Sequence, residues 1–150
     1  VARTFKIEGL RELEDALKEL PRATGKNTLM RALIKAGGPV AADAASAARR
    51  LSGKLQRSFG VSQKLSRRQK SQHRKESTVE VFAGPGALAQ AITEEFGTAH
   101  SGPHPTLRPS WDANRMKVLE SIRDDLAAEI EKARARLARK AAKQLALMSK

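Results

Sequence analysis

The sequence predicts an α+β fold: a small, mostly antiparallel sheet packed on helices, with a long C-terminal helix. Three observations carry that expectation. Apolar residues recur at helical spacing over three separate stretches. Short runs near 4–7, 55–61 and 78–83 alternate between apolar and polar residues. The stretch from about 110 to 148 reads as helix without a breaker.

Taken in order, Phe5 and Ile7 share one face of an alternating run from Thr4 to Ile7, a short strand that Gly9 ends. Leu10, Leu13, Leu17 and Leu20 stripe a first amphipathic helix, which Pro21 stops. A longer helix is expected from about Asn27 to Leu51, striped by Leu29, Leu33, Ala36, Val40, Ala44, Ala47 and Leu51. Within it, Pro39 removes a backbone donor and clashes with the preceding turn, so Gly37-Gly38-Pro39 predicts a kink or break. Ser52-Gly53 is turn chemistry, after which Leu55, Arg57, Phe59 and Val61 alternate as a strand. A further strand from about Thr78 to Ala83 puts Val79 and Val81 on one face. The pair reads as a hairpin with an unusually long connection. Gly84-Pro85-Gly86 ends it, and Ala87 to Phe96 forms a short helix closed by Gly97.

The last helix is expected from Ser110, as its cap, to Met148, with Asp112 in the first turn against the positive end of the dipole. Its stripe is Val118, Ile122, Leu126, Ile130, Leu137 and Leu145, with Ala133 and Ala141. Such a helix spans roughly 55–60 Å, longer than a domain of this size is wide. Its last third therefore projects or packs on another chain. Residues 1–125 are read as the domain and 126–150 as a basic helical extension.

The net charge of +13 is concentrated. Lys64, Arg67, Arg68, Lys70, Arg74 and Lys75 form one run without an acid, and Lys132 to Lys150 holds seven more bases, again without an acid. Those segments carry the whole excess, since the remaining 16 bases balance the 16 acids. Such segments mean either contact with a polyanion or acidic surface, or simply solvated arms. The 64–75 run lacks apolar periodicity and is expected to be mobile in the free protein. Cysteine is absent, which excludes disulfides and thiolate metal sites. No apolar run approaches the length of a membrane helix, and VARTFKIEGL lacks the apolar region of a secretory signal.

Catalytic patterns are missing. TGKNT at 24–28 lacks the first glycine of a phosphate loop and has Asn27 where Ser or Thr is needed. His100 and His104 are separated by Gly102-Pro103, which forbids the helix that would align them as ligands. Glu94-Glu95 and Asp124-Asp125 are adjacent on helices and face different directions. Neither an enzyme nor a cofactor is expected. Non-specific nucleic-acid binding is the alternative that the charge supports, although the chain has no aromatic platform for bases.

The stretch EEFGTAHSGPHPTLRPSWD at 94–112 gathers the chain's rarest residues. It reads as a clasp: Phe96 anchors the short helix, Gly97 takes a left-handed turn beside Thr98, Pro105 and Pro109 stiffen the return, Arg108 reaches a carboxylate or carbonyls, and Trp111 closes onto the long helix. The tip, Ala99 to His104, is then free to meet a neighbour. These residues, with GLRELEDAL at 9–17, KAGGPVAADA at 35–44 and SGKLQRSFGV at 52–61, resemble the tail-completion proteins of long-tailed phages. That tail-component family includes minor tail protein Z-like members. The most specific signature is EFGT at 95–98 followed by PTLRPS at 105–110, with Thr106 and Ser110 departing from the family's usual residues. The resemblance, over residues 3 to about 125, implies a structural virion protein of the head–tail junction, assembled in the host cytoplasm. It implies a ring, taken as a hexamer, between head-completion and tail-terminator or tail-tube proteins. Non-specific contact with DNA in the lumen is a further option, and a membrane is not.

Overall fold

The computed structural model describes residues 9–50 and 53–148. The strand expected at Thr4–Ile7 and the helix end expected at Leu51 lie outside the described residues. The elements are α1 Leu10–Lys18, α2 Arg22–Ala47, α3 Lys54–Ser58, β1 Gly60–Ser62, α4 Arg67–Gln72, β2 Phe82–Gly84, α5 Ala89–Phe96 and α6 Leu107–Met148. The class is α+β, with the long C-terminal helix and a two-stranded antiparallel sheet.

Helices α2 and α6 form the body and run antiparallel. Arg31 pairs with Glu129 at 2.7 Å, Lys35 pairs with Asp125, and the Asn114 amide donates to Asp43, so one number falls as the other rises. Ala32, Ala36, Val40 and Ala44 recur every fourth residue along α2 and are all buried. Side chains this small let two helix backbones approach closely. α2 begins at Arg22, earlier than its apolar stripe does, because Pro21 presets the backbone just before a first turn that carries no stripe.

Of the kink or break expected at Pro39, the break does not occur; α2 continues through it. Ala36 before it and Val40 after it are held in one cluster with Val118 of α6, which keeps both halves on the same seam. Gly37, two residues before Pro39, meets the sheet. A Cβ there would stand 3.3 Å from both methyl carbons of Val61, a tight contact that would make the sheet shift by a few tenths of an ångström from α2.

The sheet is smaller than the alternation predicts. Gly60 pairs with Gly84, Val61 with Ala83 and Ser62 with Phe82. Residues 54–58 are helical rather than extended. Leu55 and Phe59 are four apart, a spacing that satisfies a helical turn as well as a strand face, and burial of Leu55 against Ala48 and Ala91 decides for helix. The second strand starts only at Phe82, because Glu80 folds back to accept the Glu76 and Ser77 amides at 2.8 and 3.2 Å.

The core is a row of three small clusters. At one end, Leu20, Ala32, Leu126, Ile130 and Ala133 join α1, α2 and α6, with Leu13, Leu17 and Leu137 packed around them. Ala36, Val40 and Val118 form the middle, and Ala48, Leu55 and Ala91 the far end. α6 passes residue 125 without interruption, and Leu126, Ile130 and Ala133 belong to this core. The segment without cover begins only at Ala138; 138–148 are all exposed, with Leu145 and Leu147 each 68% open. With 42 residues, α6 is about 63 Å long.

Candidate functional site

The candidate surface lies at the N-terminal end of α6, where α5, the loop after it and the basic arm meet. α6 starts at Leu107, three residues before the expected cap. Its opening amides are capped from another helix. The Glu95 carboxylate, near the end of α5, accepts the backbone N–H groups of Thr106, Leu107 and Arg108 at 2.8, 3.1 and 3.2 Å. Ser110 is therefore not the cap; it is buried one turn later, its hydroxyl donating to the Thr106 carbonyl at 2.7 Å. Pro109 sits in the first turn, where a missing N–H costs nothing. Asp112 faces Arg115 at 3.9 Å.

Only 12% of the Glu95 side chain is exposed. Burial by itself would raise its carboxyl; the three amides and the Arg108 guanidinium together outweigh burial and hold it below the usual value. The Arg108 Nε is 3.5 Å from Glu95, and its guanidinium lies 5.0 Å from the centre of the Phe96 ring. Gly97 turns the chain at φ 79°, and a Cβ there would stand 2.9 Å from both the Pro103 nitrogen and the Ser101 carbonyl oxygen. The Thr98 amide donates to the Ser101 carbonyl at 2.8 Å, and its hydroxyl oxygen accepts the His100 and Ser101 amides at 3.2 and 3.0 Å. The loop returns with the His104 amide donating to the Glu94 carbonyl at 2.6 Å, and Pro105 leads into the capped turn.

The expected apolar ends of the clasp are not where the sequence puts them. Phe96 is 65% and Trp111 50% exposed. Polar groups close the loop, and the aromatics stand on the outside. Glu95 opens the EFGT signature, yet sequence reasoning gave it no part in the clasp. Thr106, a usual capping residue, stands just before α6, and a cap supplied by a different helix has no fixed spacing. The tip, 99–104, is exposed, His100 and His104 included.

The basic arm has more structure than its charge implies. Ser66 and Gln69 form a reciprocal capping box that starts α4, a pattern legible as S-x-x-Q. The Gln69 amide also donates to the Gly86 carbonyl at 3.0 Å, and His73 meets Glu80 at 2.9 Å with its ring edge-on to Phe82. These contacts tether the arm, yet no residue of α4 is buried. Lys64, Arg67, Arg68, Lys70, Arg74 and Lys75 are exposed, and none of them forms a side-chain ion pair among the described residues.

Two apolar clefts open beside the clasp. One, of about 540 Å³, lies between α4 and α5 over Leu55, Phe59, Leu88, Ile92 and Phe96. The other, of about 510 Å³, lies between the sheet and α6 beside Phe82 and Trp111, and Leu107 and Arg108 line both. Among the described residues no three His, Cys, Asp or Glu side chains converge on a metal position, and no helix is long and apolar enough to cross a membrane.

Compared with known protein families, residues 11–97 match the one described as "Bacteriophage HK97-gp10, putative tail-component". The chain belongs to this phage tail-component family. The match runs from α1 to the Gly97 turn and so includes the basic arm and α5; PTLRPS at 105–110 and α6 lie beyond it. No curated protein and no solved structure matches the chain. The family's description names a tail component of a bacteriophage, which is a part of the virion.

Proposed function

We propose that the protein is a ring-forming structural component of the head–tail junction, a hexamer that joins head-completion proteins to tail-terminator or tail-tube proteins around the DNA passage. Membership of the tail-component family is the observation that carries this reading. Three features of the chain support it. The α6 segment 138–148 is exposed, large apolar side chains stand exposed around the clasp, and the basic arm offers six cations without ion-pair partners among the described residues. The mechanism is assembly, with no reaction catalysed.

The uncovered surfaces need neighbours, so the isolated chain should form little specific ring at micromolar concentration and close into one when docked on a neck or tail component. Native mass measurement with and without those components tests this. A chain that stays monomeric with every neck and tail component present refutes the ring. The arm is assigned to an acidic protein surface rather than to DNA, because a passage for DNA should not grip phosphates. Neutralising all six arm cations should spare the fold and impair joining of heads to tails; normal infectious particles from that variant would leave the arm a solvated loop.

The unpaired cations also favour a second reading, non-specific nucleic-acid binding. It requires duplex binding whose affinity falls steeply with salt. A salt titration that shows no such binding removes it.

A further inference from the structure

We propose that the cleft between α4 and α5 is a docking site for an acidic segment of another protein, one that presents aliphatic side chains among its carboxylates. The floor is apolar and open: Leu55 and Ala91 are buried beneath it, while Ile92 is 51% and Phe96 65% exposed at its edge. Exposed aliphatic and aromatic side chains contiguous over one cleft mark an interaction surface. The rim then chooses the partner. Arg67 and Arg68 line the cleft from α4 and form no ion pair among the described residues. The two carboxylates at the cleft are already engaged, Glu94 with Arg49 at 3.7 Å and Glu95 with the α6 amides and Arg108. The charge left over the cleft is therefore positive, and an acidic occupant complements it.

The chain's own elements do not fit this opening. The exposed end of α6, 138–148, lies roughly 45–60 Å away along the same helix. That end from a second copy would bring Arg139, Lys140 and Lys143 toward Arg67 and Arg68. The acidic helix α1 has Leu13 and Leu17 packed against the core of α2 and α6. The occupant is accordingly a different protein, whether or not the chain closes into a ring.

The test uses the full chain and three probes. The first is a synthetic peptide with leucines every third or fourth residue among glutamates; its lysine counterpart and a short DNA duplex are the others. Titration calorimetry should show binding of the glutamate peptide and none of the lysine peptide. Arg67→Glu with Arg68→Glu, and separately Ile92→Ser with Phe96→Ser, should each weaken the glutamate peptide at least tenfold with thermal melting unchanged. All four positions are exposed, so the variants should fold. No binding of the glutamate peptide overturns the proposal. So does binding that the Ile92→Ser, Phe96→Ser variant leaves intact, or DNA binding that displaces the peptide from an unaltered apolar floor; each would make the arm a polyanion site alone. The ring can fail its mass measurement while this binding succeeds, and the reverse, so the two are separable.

Discussion

Glu95 offers the sharpest perturbation, because one side chain in one helix terminates the amides of another. Replacing it by alanine leaves the amides of Thr106, Leu107 and Arg108 without their acceptor, and Thr106 is buried, so water can restore little there. A lost helix cap costs about 0.5–2 kcal/mol, and the near-buried, charged geometry here places the cost at the top of that range, about 2 kcal/mol. For a chain of this size that is a fall of about 4–8 °C in melting temperature. Glu95→Gln keeps an oxygen acceptor but loses the charge facing the helix dipole, and should cost about 1 kcal/mol. Thermal unfolding followed by far-ultraviolet circular dichroism reads both. The pH dependence follows from the sign of the shift. The folded carboxyl lies below its ordinary 4.5, so its contribution is complete above that value and is lost as the pH falls through the lower folded value. Wild type and Glu95→Gln should therefore differ at neutral pH and converge in acid. Equal melting at neutral pH, or a gap that persists unchanged in acid, would refute the cap.

Three further outcomes follow from the same geometry. Gly97→Val should destabilise by about 1–3 kcal/mol from backbone strain alone, more with its overlap on Ser101 and Pro103, and denaturant unfolding will read it. Ile130→Ala, at the fully buried junction of α1, α2 and α6, should cost about 2–5 kcal/mol, whereas Phe96→Ala should stay within about 0.5 kcal/mol because the ring is exposed; a reversed order would put Phe96 in a core. Hydrogen bonding to His73 first, and then to the Glu76 amide, holds the Glu80 carboxyl down to about 2. The Glu80 contacts with His73 and the Glu76 and Ser77 amides should therefore be complete above the ordinary 4.5 and be lost as the pH falls through about 2, and His73→Ala should move the Glu80 titration, followed by carboxyl NMR, back up toward 4.5.

The sequence by itself determined the helices whose apolar stripes are long: α1, most of α2, and α6 to its last residues, because burial on one face imposes a period that survives any detail of packing. It also set the near-neutral body, the two basic segments and the glycine turn after α5, and its ordered motifs placed the chain in its family. Short elements were a different matter. Leu55 and Phe59 fit a strand and a helical turn equally, and only contact with Ala48 and Ala91 chose between them. Pro39 carries a local penalty that predicts a kink or a break, and α2 runs on unbroken where its seam with Val118 on α6 holds both halves. Phe96 and Trp111 look like core residues by type, yet whether an aromatic is covered depends on which element passes over it, and both stay at least half exposed. Glu95 marks the limit most clearly. Its three amide partners lie 11 to 13 residues away, brought within reach only by the turn at Gly97 and the return through Pro105, so its function exists in the tertiary arrangement and in no local pattern.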